Sequence, residues 1–169
     1  TAMSGSGSFT LVARFNRADT MTTGSLSVLL SLAYSISYAN LLLGQDAQDY
    51  EVRVRTGSTG FSGSLSPEFV GNGALDTDNS IHFALTYDGS TLRAFIDGKL
   101  HKSQLLTGDL TNLSSTMSVA VGGLSSGSQN WLGTVDSVRL YDEALDGTQV
   151  QNLADGMPIN SAGGSGSVV

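Results

Sequence analysis

Apolar and polar positions alternate through most of the chain. In residues 9–16, Phe9, Leu11, Ala13 and Phe15 alternate with Thr10, Val12, Arg14 and Asn16, which predicts a strand with one strongly apolar face and one mixed face. Residues 25–34 and 38–43 read as two buried strands turning at 35–37, with 44–49 as an acidic loop. In YEVRVRT, residues 50–56, Val52 and Val54 share one side and Glu51, Arg53 and Arg55 the other, so one face meets the core and one meets water or a ligand. Residues 57–73 are rich in Gly and Ser, with Phe61, Leu65, Phe69 and Val70 as anchors, and predict short strands and turns. Next, Ile81, Phe83, Leu85 and Tyr87 point one way, Asp88-Gly89-Ser90 turns the chain, and Leu92, Ala94 and Ile96 return to a second turn at Asp97-Gly98. A further strand follows at 116–124, reached from residue 100 through Gly108 and Asn112.

The closing stretch, residues 131–156, changes period. After Gly133, the residues Val135, Val138, Leu140 and Tyr141 put apolar groups on both sides of an extended segment, which predicts a strand covered on both faces. Leu145, Val150 and Leu153 then fall on one side of a short helix beginning near Asp146 and stopping at Gly156. The pattern as a whole predicts an all-β chain, an antiparallel β-sandwich with one short C-terminal helix.

Composition narrows the picture. A chain of 169 residues suits one domain. The boundaries read as a leader over 1–8, a domain over 9–157 and a Gly/Ser-rich tail over 158–169, and the opening on Thr1 rather than Met reads as a processed or excised piece. There is no cysteine, which removes disulfides and thiolate metal sites. A net charge of −7 with eight scattered Lys and Arg argues against a nucleic-acid surface. The apolar stretch over 26–44 is interrupted by Ser27, Ser31, Ser35, Ser37 and Asn40 and is no membrane span. With 21 glycines and abundant Ser and Thr, the balance matches an extracellular or surface-exposed β-rich module of microbial or virion origin.

Two blocks carry a resemblance. Gly133, Val135, Asp136, Val138, Arg139, Leu140, Tyr141, Asp142, Ala144 and Leu145 form the pattern G-x-(V/I)-D-x-(V/I)-R-(L/I)-Y-(D/N)-x-A-L, and His82, Ala84, Thr86, Tyr87, Asp88, Gly89, Leu92, Arg93, Phe95, Ile96, Asp97, Gly98 and Lys99 form a second block around the Asp-Gly turns. With the F-T strand at Phe9, these resemble the laminin G-like domains of the concanavalin A-like lectin/glucanase superfamily over about residues 9–156. The resemblance implies a jelly-roll sandwich that binds carbohydrate or mediates adhesion, with a glycan or surface protein as partner. It also implies a strand ahead of the F-T strand, for which only eight linker-like residues are present, so either the domain is a shortened variant or the C-terminal tail or a neighbouring chain supplies that edge, the last giving a homo-oligomer assembled through an exposed strand edge. The alternative reading is a structural module of a decoration, fibre or surface layer making protein contacts.

Candidate chemistry is sparse. Asp136, set in an apolar strand, needs a partner. The resemblance implies structural calcium there, and capping a turn or pairing with Arg139 are the other readings. The run Asp76, Asp78, Asn79 offers further oxygen ligands or is simply a turn. Tyr50, Arg53, Arg55 and Trp131 are candidate ligand-binding residues, since rings stack on sugars and arginines grip carboxylate or sulfate. The competing reading makes Trp131 a core plug and the arginines solvated. The acidic pair of the superfamily's retaining glucanases, E-x-D-x-x-E, has no counterpart among Glu51, Glu68 and Glu143, so no catalytic residue is assigned. His82 reads as a structural strand residue and His101 as exposed beside a turn.

Overall fold

The computed structural model describes residues 7–17, 26–35, 38–46, 49–54, 80–106, 118–124, 127 and 129–159. In chain order these form β1 (Phe9–Arg17), β2 (Leu26–Ser35), β3 (Tyr38–Asp46), β4 (Asp49–Val54), β5 (Ile81–Tyr87), β6 (Thr91–Ile96), β7 (Lys99–Leu105), β8 (Ser118–Val121), β9 (Gly133–Tyr141) and the helix α1 (Gly147–Ala154). The strands make two antiparallel sheets, one ordered β7-β6-β5-β1-β9 and the other β4-β3-β2-β8. The antiparallel sandwich expected from the alternation, of the jelly-roll type that the resemblance implied, is the architecture found.

The core fills the space between the sheets. Phe9, Leu11, Ala13 and Phe15 of β1 face inward with Phe83, Leu85 and Tyr87 of β5, and meet Leu30, Leu41, Leu43 and Val52 from the other layer. Fully burying each of the larger side chains among these, the Val, Leu and Phe, contributes about 1.5–3 kcal/mol. Rings tie the layers together: Tyr50 stands 5.2 Å from Phe83, and Trp131 packs edge-on against Phe15 at 5.3 Å. A second, smaller cluster lies on the outer face of the five-stranded sheet, where Leu145 and Val150 of the helical segment cover Val12, Ala84, Phe95 and Tyr141.

Local chemistry explains the ends. Asp146 caps α1 by accepting from Gln149 N while the Gln149 side chain returns to Asp146 N, a capping box, and Gly156 follows the helix with φ +74°. Thr10, fully buried on the mixed face of β1, accepts from Leu145 N and donates to Glu143 O, both at 2.8 Å, which fixes the entry to the helix. Asp97 and Gly98 both have positive φ, +49° and +78°, the conformation of a tight hairpin turn, and they launch β7.

Three expectations need correction. Residues 44–49 are not a loop in full: β3 runs to Asp46 and β4 starts at Asp49. Strand β7 was not expected, because KLHKSQL lacks apolar alternation; it is a largely exposed edge strand held by pairing with β6. The expectations for 57–73, for 107–116 and for the acidic run at 76–79 lie outside the described residues.

The third correction concerns β9: among the described residues it pairs with β1 alone, and on its outer face Tyr141 is buried under the helical segment while Ser137 and Arg139 are not, so it is not covered on both faces along its length. A β-bulge explains the misleading pattern. Arg14 pairs with Ser137 and Phe15 with Val135, so Asp136 is the extra residue. Strict alternation from Leu140 and Val138 would turn Asp136 toward the core. The bulge hands that position to Val135, which packs with Val138 and Leu140 against the core while Asp136 stays exposed.

Candidate functional site

The outer face of the five-stranded sheet is only partly covered by α1, and beyond Val150 the helix overhangs an open cleft of about 370 Å³. Strand register builds its floor. Arg14 on β1 sits opposite His82 on β5 and opposite Ser137 on β9, so the three form one row across three strands; Arg139, opposite Val12, stands two residues along β9. The wall is the end of the helix, from Leu153 to Met157. Arg14 Nη2 donates to Ala154 O at 2.9 Å, a cation placed where the helix dipole is negative.

His82 is the unusual member. It is 4% exposed, and neither Nδ1 nor Nε2 has a hydrogen-bond partner. Leaving such a group unsatisfied costs about 1–3 kcal/mol. Burial first, then the neighbouring Arg14, holds its pKa below the usual imidazole value; Asp97, which accepts from His82 N through Oδ1 at 2.9 Å, pulls the other way. The ring is therefore neutral at pH 7. Asp155 is the carboxylate at the cleft, and its Oδ1 accepts from Gln151 Nε2 at 3.0 Å.

The residues singled out from sequence do not gather here. Tyr50 is fully buried between the sheets, its hydroxyl bonded to His101 Nδ1, and burial pushes its pKa up to about 12. Trp131 is 8% exposed, packs on Phe15 and directs Nε1 to Asn16 O at 3.3 Å. Both are core residues rather than exposed platforms. Arg53 lies on β4 opposite Leu42, while its side chain, Arg55, Asp76, Asp78 and Asn79 lie outside the described residues. Asp136 is exposed and accepts from Ser80 Oγ at 3.1 Å. Sequence reasoning missed Arg14 and Arg139 and assigned His82 a structural role. Alternation alone places Arg14 on the outer face, but only register brings the three together.

Comparison with known proteins follows the fold. The laminin G model of the Concanavalin A-like lectin/glucanases superfamily matches residues 1–151. The chain belongs to this family. No curated protein matches this laminin G-like sequence at a significant level. Among solved structures, it is similar to the binding domain of botulinum neurotoxin DC in complex with rat synaptotagmin II, with TM-score 0.67, 12% identity, and coverage of 92% of this chain and 37% of that one. It therefore spans little more than a third of that toxin chain. It is also similar to the carbohydrate-binding module CBM40 of the Ruminococcus gnavus IT-sialidase bound to α2,3 sialyllactose, with TM-score 0.68, 14% identity, and coverage of 88% and 83%. The heptameric SAP-like pentraxin from Limulus polyphemus matches with TM-score 0.62 and 14% identity over 99% of this chain and 82% of that one. At these identities the likeness is one of fold.

The laminin G-like resemblance implied calcium at Asp136. Calcium takes six to eight oxygens. Around Asp136 there is one carboxylate and the Ser80 hydroxyl, and no group of three or more acidic or histidine side chains gathers among the described residues. The described residues alone do not compose such a site. No described helix is long and apolar enough to cross a membrane.

Two predictions arise here. Because Asp136 is exposed in its bulge rather than buried, Asp136→Asn is expected to change unfolding free energy by no more than about 0.5 kcal/mol in chelator-treated protein, measured by denaturant titration. The pH dependence of Tm follows from His82 and Tyr50. The folded pKa of His82 is depressed, so its contribution is present above the unfolded value near 6.5 and is lost as pH falls through the folded pKa. That of Tyr50 is raised to about 12, so its contribution is present below roughly pH 10 and is lost as pH rises toward the folded value. Tm is expected to be highest between these limits, and ultraviolet titration should show the Tyr50 phenol ionising above the ordinary range.

Proposed function

We propose that this laminin G-like chain is a non-catalytic carbohydrate-binding module of an extracellular or surface protein. The observation that carries this reading is the cleft over β5, β1 and β9: it is open to solvent, lined by hydrogen-bond donors from Arg14, His82, Ser137 and Arg139, and set on a fold of the lectin superfamily. The likeness to a sialidase's carbohydrate-binding module supports the same class of ligand. Among the described residues Asp155 faces no second carboxylate in the cleft, and glycoside hydrolysis ordinarily uses two. A glycan array followed by calorimetry, each with and without chelator, tests the reading. Binding without turnover of β-glucans supports it; turnover, or no binding to any glycan, ends it. The chelator arm also tests the acidic run, since Ser80, which donates to Asp136, directly follows Asn79 in sequence.

A second reading, assembly through a strand edge, is favoured by the two flanks of the structure. Strand β9 has no partner beyond it among the described residues, and the opposite sheet ends in β8 with Val119 and Val121 more than half exposed. Light scattering at increasing concentration separates the two: a monomer throughout disfavours self-assembly.

A further inference from the structure

The cleft floor holds an imidazole without a hydrogen-bond partner and two guanidinium groups without a carboxylate among the described residues. Neither nitrogen of His82 is satisfied, although the residue is almost wholly buried. Arg14 directs one N–H to Ala154 O, and neither Arg14 nor Arg139 forms an ion pair among the described residues. Guanidinium groups only donate. The Ser137 hydroxyl adds one more donor, while the single carboxylate at the cleft among the described residues, Asp155, is already engaged by Gln151. A half-buried guanidinium, an exposed one and a buried imidazole with no partner, all facing one space, suit an acceptor carrying negative charge. The chain is otherwise acidic, with a net charge of −7, so a concentration of two arginines at one cleft runs against its overall balance. The cleft volume, about 370 Å³, falls within the range of small-ligand pockets, roughly 300–1,000 Å³.

We propose that this cleft seats an oxyanion, the carboxylate or sulfate of an acidic sugar, held by Arg14 and Arg139 with His82 as a third donor. The sugar part rests on the glycan-binding reading above; the oxyanion part stands on the cleft alone. The bulge at Asp136 contributes by position. It corrects the inward-facing side of β9 just past the row, leaving Ser137 and Arg139 on the outer face beside Arg14.

Seating an anion also couples to protons. The charged groups around His82 are Arg14 on β1, Arg139 on β9, Asp97 in the turn between β6 and β7, and Asp155 at the end of α1. The two arginines disfavour the imidazolium and Asp97 favours it. An anion bound among them favours it further, so binding takes up a proton and affinity rises as pH falls below the ordinary imidazole value.

The test uses the intact chain with four probes: the methyl glycosides of glucuronic acid and of glucose, inorganic sulfate, and acetate. Calorimetry gives affinities at about pH 5.5 and about pH 7.5, and imidazole nitrogen NMR follows His82. The glucuronide is expected to bind at least about tenfold more tightly than the glucoside, more tightly at the lower pH, and with the His82 pKa raised in the complex. Arg139→Gln, at an exposed position, is expected to weaken glucuronide binding about tenfold with Tm unchanged. Equal binding of glucuronide and glucoside, indifference to Arg139→Gln, or no response from His82 overturns the proposal, as does failure of all three anions to bind. If a neutral glycan binds elsewhere and Arg139→Gln is silent, the glycan-binding reading stands and this one falls. If sulfate matches the glucuronide, the oxyanion seat stands and the sugar reading is what fails.

Discussion

Trp131→Ala is expected to lower unfolding free energy by about 3–5 kcal/mol, the usual cost of deleting a large aromatic from a core. The side chain is 8% exposed, packs edge-on against Phe15 and donates to Asn16 O, so its loss removes buried area, a ring contact and a hydrogen bond together. Its backbone is strapped as well: Trp131 N donates to Gly122 O at 2.9 Å, joining the β9 approach to the end of β8. For a chain of this length each kcal/mol shifts Tm by roughly 2–4 °C, so a fall on the order of 10 °C is expected by circular dichroism. The measurement also separates the two roles considered for this residue. An exposed sugar platform would leave Tm unchanged on replacement and lose only binding. A drop in Tm with glycan affinity preserved in Trp131→Phe is the outcome that fits the position found.

Gly133→Ala is expected to cost about 3 kcal/mol or more. Gly133 has φ +152°, a conformation L side chains rarely adopt, and a Cβ there would meet the Asn16 carbonyl oxygen and come within 2.9 Å of Trp131 Nε1. The Asn16 oxygen is the acceptor of the Trp131 indole and belongs to β1 backbone, which cannot give way without moving the pairing of Arg17 with Gly133. Denaturant unfolding checks the magnitude. Because both replacements act on one junction, the double variant should lose less than the sum of the two, and strict additivity would show that they are independent.

How much was legible in the sequence follows from which forces act locally. Alternation of Phe9, Leu11, Ala13 and Phe15 marked β1 and its inward face, and the capping residue Asp146 with Gly156 bounded the helix within a residue or two. Tyr50, singled out as a candidate ligand-binding residue, shares parity with Val52 and Val54, and the structure buries all three. Other features were not legible. Strand β7 has no apolar period, and its existence depends on a partner supplied by the chain before it. The β9 pattern looked like a doubly covered strand because one inserted residue resets the period at Asp136, which only pairing with β1 reveals. The cleft was hidden for the same reason: Arg14, His82 and Arg139 are widely separated in sequence and become neighbours through register. Long-range pairing, rather than local propensity, is where one sequence runs short.

The pairing of Thr10 with Tyr141 places the beginning of β1 beside the end of β9 in an antiparallel couple. A pull applied at Phe9 and Ile159 would therefore load those strands at adjacent ends, breaking their cross-links one after another like a zip, whereas a pull at opposite ends would strain them all at once. The first elements to yield would be the Thr10 clasp on Leu145 and the docked helix. Under tension this sandwich would open from its helical flank at modest force, and stretching single molecules from those two points would show it.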